Sequence, residues 1–79
     1  MRLDKYLKVS RIIKRRTVAN EACDAGRVMV NGKAARASYD VKVGDIIEIS
    51  FGAREFKAQV TSVAETVKKE EAQGLYNLI

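Results

Sequence analysis

The stretch TVANEACDAGRVMVNG, Thr17 to Gly32, changes its hydrophobic period midway. Val18, Ala19, Ala22 and Cys23 recur at three- and four-residue spacing, which predicts a helix beginning near Arg16 or Thr17. Those four form its expected inward face, and their small size implies close packing on another element. Gly26 then stands where a left-handed residue ends a helix without steric cost. From Val28 the apolar residues alternate, and Asn31-Gly32 offers the positive φ angles of a tight hairpin. One stretch thus holds a helix, its stop, a strand and a turn.

Upstream, Leu3, Tyr6 and Leu7 fall at i, i+3 and i+4, so residues 2–10 read as a short amphipathic helix with Tyr6 in the core. Downstream, KAA is the hairpin's return and Gly44-Asp45 a turn. IIEISF is a strand, GAR a turn and EFKAQVTSV another strand. The fold class is α+β: two N-terminal helices packed on a small, largely antiparallel sheet. The domain is expected over residues 1–64. Residues 65–79 form a C-terminal tail, expected to start a short helix that breaks near Gly74. Leu75, Tyr76, Leu78 and Ile79 would then pack back on the domain.

The chain has 79 residues, room for one small domain. It has one cysteine, no histidine and no proline. Cys23 alone makes neither a disulfide nor a paired-thiol metal site, and a zinc site lacks its ligands. No cofactor is expected, and Cys23 reads as a packed apolar residue. The charged opening MRLDKYLKVS is unlike a signal peptide, and no apolar run suits a bilayer. A cytoplasmic location is the expectation.

The net charge is +5, and all of it lies in the first third. Residues 1–27 carry eight cations against three anions, whereas residues 28–79 carry seven of each. Such asymmetry suits a polyanion, either nucleic acid or an anionic membrane surface; a solvated face is the plainer alternative. The densest part is RIIKRRT, Arg11 to Thr17. Ile12 and Ile13 anchor this connection in the core and turn Arg11, Lys14, Arg15 and Arg16 outward. Cations at a helix N-terminus oppose its dipole, so this arrangement costs local stability and suits an external anion.

In order and spacing, several motifs together resemble the S-four RNA-binding domain. They are Arg2-Leu3-Asp4 with Leu7, Lys14-Arg15-Arg16-Thr17, Ala19, Gly26, Val28 and Val30 with Asn31-Gly32, and Gly44-Asp45. The resemblance runs over residues 1–51. The chain looks most like the stand-alone members: the heat-shock protein fifteen group and, more narrowly, the ribosome-associated quality-control factor P group of Gram-positive bacteria. The narrower resemblance extends into the tail KKEEAQGLYNLI. It implies an RNA-binding face made by the two helices. It also implies binding to a large ribosomal subunit carrying stalled peptidyl-tRNA, with contacts to large-subunit rRNA and the tRNA. The partner implied is an RqcH-like elongation factor that adds alanines to the nascent chain. The expected protein is a monomeric translation factor, not an enzyme.

Arg2 and Arg16 are the foremost candidate RNA contacts, followed by Lys14 and Arg15, then Lys5, Lys8 and Arg11. Arg27, Lys33 and Arg36 are a looser extension. Asp4 either orients Arg2 or a cation across the helix pair, or accepts a hydrogen bond from RNA. Thr17 is expected to cap the second helix, or to donate to a phosphate. Two rival readings are an RNA-modifying enzyme of which this is a fragment, and a DNA-binding helix-turn-helix protein. The first lacks a catalytic constellation here. The second lacks base-reading side chains on helix two.

Overall fold

The computed structural model describes residues 1–64 and 74–79. Its elements run α1 (Leu3–Val9), α2 (Arg16–Asp24), β1 (Val28–Val30), β2 (Lys33–Ala34), β3 (Ile46–Phe51), β4 (Arg54–Val60) and β5 (Tyr76–Leu78). The five strands form one sheet in the order β2-β1-β3-β4-β5, with every pairing antiparallel. The expected α+β architecture is therefore the observed one. Among the described residues, no helix is long and apolar enough to cross a membrane.

The turns follow from residue type. Asn31 and Gly32 take φ of 53° and 82°, matching the doubly left-handed hairpin turn. At the end of α2, Gly26 takes φ of 77°. The Gly26 N–H donates to the Cys23 carbonyl, and the Arg27 N–H to the Ala22 carbonyl, each at 3.0 Å. This pair of bonds is a Schellman stop, and it turns the chain straight into β1.

The core lies between the helix pair and one face of the sheet. Leu3, Tyr6 and Leu7 are fully buried and meet Ala19, Cys23, Val28, Val30, Ile47, Ile49 and Val60. Val28 stands opposite Ile49, and Val30 opposite Ile47, so their alternation falls in step on the inner face. Burial pushes the Cys23 thiol up to about 11, helped by the charges of Asp4 and Asp24, so it stays protonated and inert at neutral pH.

Several expectations are corrected. Val18 is 46% exposed, so the inward face of α2 is Ala19 and Cys23 with Ala22 half-buried. The helix is rotated so that its smallest residues meet α1, and Val18 falls outside that stripe. The turn after β3 holds only Gly52 and Ala53, because Arg54 already pairs with Phe51. The strand expected to reach Val63 stops at Val60. Just beyond it the Thr61 and Ser62 N–H groups both donate to the Leu75 carbonyl, at 2.9 and 3.3 Å, so the regular register ends there.

The helix expected at the start of the tail lies in 65–73, outside the described residues. Beyond it, Leu75 is buried, and its carbonyl accepts the Tyr6 hydroxyl at 2.7 Å. Tyr76–Leu78 adds β5 beside β4, while Leu78 and Ile79 are exposed rather than packed back.

Candidate nucleic-acid interface

The candidate interface centres on one buried carboxylate. Asp4 sits in the first turn of α1 and is only 2% exposed. Its Oδ1 accepts the Lys5 N–H at 2.8 Å and the Arg2 Nε–H at 3.1 Å. Its Oδ2 accepts the Asn20 amide at 3.2 Å and the Arg2 terminal nitrogen at 3.4 Å. Arg16 Nε completes the set, 3.5 Å from Oδ2. Burial alone would raise this carboxyl's pKa. The hydrogen bonds from Arg2, Asn20 and the Lys5 N–H, with the Arg16 charge, outweigh that and hold it below the ordinary carboxylate value.

Asp4 therefore holds two arginines from two different elements. Arg2 precedes α1 and Arg16 opens α2. Their side chains remain about half exposed, at 50% and 49%. Arg16 approaches Asp4 through Nε, and its guanidinium makes no ion pair with any other described residue. A guanidinium fixed at one edge and open at the other is oriented for bidentate contact with phosphate, or for stacking on a base. A groove of about 360 Å³ opens there, lined by Asp4, Arg16, Thr17, Asn20 and Glu21.

The backbone around α1 braces the cluster. The Leu3 and Asp4 N–H groups donate to the Tyr39 and Ala37 carbonyls at 2.8 and 3.2 Å. The terminal ammonium pairs with Asp40 at 2.7 Å. The connection between the helices behaves as its composition requires. Ile13 is buried and Ile12 half-buried, while Arg11, Lys14, Arg15 and Arg16 all face solvent. Arg11 takes φ of 63°, a left-handed turn that redirects the chain toward α2.

Of the candidate residues, Arg2, Asp4 and Arg16 are brought together, with Thr17 on the groove wall. Lys5 is half-buried beside them on α1, and Lys8 is exposed in its last turn. Lys8, Arg11, Lys14 and Arg15 have no ion pair among the described residues and add positive field around the cluster. Asp4 accepts from Arg2, Asn20 and the Lys5 N–H within the chain, which is the geometry of a group that orients its neighbours. Thr17 does not cap α2: the cap position is Arg15, without a side-chain cap bond. The helix starts two residues earlier than a threonine cap requires.

Asn20 is the site residue that sequence reasoning missed. It lies four residues after Arg16, on the same helical face. A buried acid in α1 needs that second, neutral donor to fill its remaining acceptor site.

A helix pair whose Arg2 and Arg16 share one carboxylate is laid on a small antiparallel sheet. Residues 1–47 match the S4 domain family. Two curated relatives named RQC P-site tRNA stabilizing factor align along the whole chain. The one from Streptococcus pneumoniae is 56% identical over 79 residues, 100% of this chain and 90% of the relative. The one from Bacillus subtilis is 52% identical, over 100% and 92%. A trimeric structure of Vibrio cholerae heat shock protein 15 superposes with a TM-score of 0.92 at 31% identity, covering 100% of this chain and 81% of that one. The chain belongs to the S4-domain family and, within it, to the RQC P-site tRNA stabilizing factors.

Proposed function

We propose that this chain acts in ribosome-associated quality control as a non-enzymatic RNA-binding factor. It binds the large ribosomal subunit that still carries stalled peptidyl-tRNA. Arg2, Lys5, Lys8, Arg11, Lys14, Arg15, Arg16 and Thr17 face rRNA and tRNA, and Asp4 orients the arginines. By holding the tRNA it supports an RqcH-like partner that extends the nascent chain with alanines. It works in the cytoplasm as a monomer. The observation that carries this reading is the Asp4 clamp, which presents Arg2 and Arg16 half-exposed at the junction of the helices. The names of the relatives support the same direction.

Gradient sedimentation of cell extract tests it. The protein should peak with free large subunits bearing peptidyl-tRNA, and be scarce with small subunits and intact translating ribosomes. An even spread over all fractions would reduce the reading to general polyanion binding.

A further inference from the structure

A second groove, of about 590 Å³, lies between the β1–β2 hairpin and the segment that returns toward α1. Its chemistry differs from the first. Asp4 and Glu21 line the first groove, whereas no acid lines the second. Its polar wall is Asn31, Lys33, Arg36, Ser38 and Tyr39.

The wall is held from behind by Asp45. The Asn31 amide donates to Asp45 Oδ1 at 3.1 Å, and the Tyr39 hydroxyl donates to Oδ2 at 3.1 Å. The Lys42 N–H adds a third donor at 3.0 Å. Asn31 is fixed at its other end too, where its Oδ1 accepts the Ile46 N–H at 2.9 Å. Asp45 is thereby spent on the frame. Lys33 and Arg36 are exposed and have no ion pair among the described residues. Two free cations beside a hydroxyl, an amide and a ring match an anion joined to a sugar.

The groove is also tied mechanically to the helix pair. Ala37, between Arg36 and Ser38, accepts the Asp4 N–H through its carbonyl at 3.2 Å. Its own N–H donates to Asp24 Oδ1 at 3.5 Å. One residue thus touches the start of α1 and the end of α2, so Arg36 keeps a fixed relation to the Arg2–Asp4–Arg16 cluster.

We propose that this groove is a second RNA contact, in which Lys33 and Arg36 bind the phosphodiester backbone of a segment other than the one held by the helix pair. The proposal deepens the RNA-binding reading above and rests on it. Charge complementarity selects the occupant: an acid-free cationic groove on a chain whose other groove also presents arginine.

The test compares two double variants of equal charge loss in binding to purified large ribosomal subunits across a monovalent salt series. Lys33→Gln with Arg36→Gln removes the groove cations. Arg54→Gln with Lys57→Gln removes two exposed cations from β4, on the far side of the sheet order. All four side chains are exposed, and thermal unfolding confirms that both variants fold. The groove variant should lower the log–log salt slope by about 1.5, since each phosphate contact contributes roughly 0.7 to 0.9. The β4 variant should leave the slope unchanged. An unchanged slope in the groove variant, or equal losses in both, overturns the proposal. Arg16→Ala in the same series separates the two readings. If it loses binding while the groove variant keeps its slope, the groove falls and the helix-pair reading stands. If it binds like the parent while the groove variant loses slope, the helix-pair reading falls and the groove stands.

Discussion

Helix α1 and helix α2 begin in opposite ways. Helix α1 carries an acid, Asp4, in its first turn, and its leading N–H groups find the Tyr39 and Ala37 carbonyls. Helix α2 has no acid in its first turn and no side-chain cap, and it opens on Arg15 and Arg16. The first start satisfies the orphan donors and the dipole. The second leaves donors and dipole facing a cation cluster. The difference teaches that the carboxylate of α1 serves both helices: it reaches across the pair to Arg16 and Asn20. Stability is concentrated at one helix start, and positive potential is left at the other.

The largest expected effect comes from removing the shared carboxylate. Asp4→Ala frees both arginines at once, so subunit binding should fall by about 3 kcal/mol, the upper end for a charge-assisted group. The fold should also lose about 1 to 2 kcal/mol in denaturant titration, because Asn20 and the arginines lose their acceptor. If binding by this variant matches the parent, the two arginines do not need the clamp.

Next is Arg16→Ala. Binding should drop on the order of 2 kcal/mol. Stability should move by no more than about 0.5 kcal/mol, since a half-exposed ion pair contributes little and the loss of a cation relieves the dipole. Arg54→Ala, on β4, is the control and should bind nearly as the parent does. An Arg16→Ala protein that unfolds would make this arginine structural.

A smaller effect should appear with opposite signs in two assays. Thr17→Asp gives α2 the acid its first turn lacks. Its thermal stability should rise by about 0.3 to 1 kcal/mol. Subunit affinity should fall at the same time, as a carboxylate enters the groove wall. A variant improved in both assays would break the contrast between the two helix starts.

The smallest effect is in acid. The Asp4 carboxyl is held below its ordinary value of about 3.9, so its contribution to stability is complete above that value. The contribution is lost as the pH falls through the lowered value. Asp4→Asn should therefore show a flatter acid limb than the parent in unfolding curves taken from pH 5 downward. Parallel curves would mean that the carboxylate is not selectively stabilised by folding.

How much of this was legible beforehand depended on how local the cause was. The hairpin at Asn31-Gly32 and the stop at Gly26 are set by single-residue φ preferences, and both were readable. The α1 stripe of Leu3, Tyr6 and Leu7 was readable by period. The rotation of α2 that exposes Val18 was not, because Val18 and Ala22 are both apolar and only packing against α1 separates them. Strand β5 was missed since it lies within the tail, and its pairing with β4 joins segments distant in sequence. Within the site, the cations and Asp4 were visible as charge. Asn20 carries none, and its part follows only once α1 and α2 are side by side.

The most direct test of the central claim is the salt dependence of binding between the unaltered chain and purified large subunits carrying peptidyl-tRNA. Four to six phosphate contacts should give a log–log slope of about 3 to 5. A slope indistinguishable from zero would contradict a phosphate-dominated interface and, with it, the function assigned to the clamped arginines.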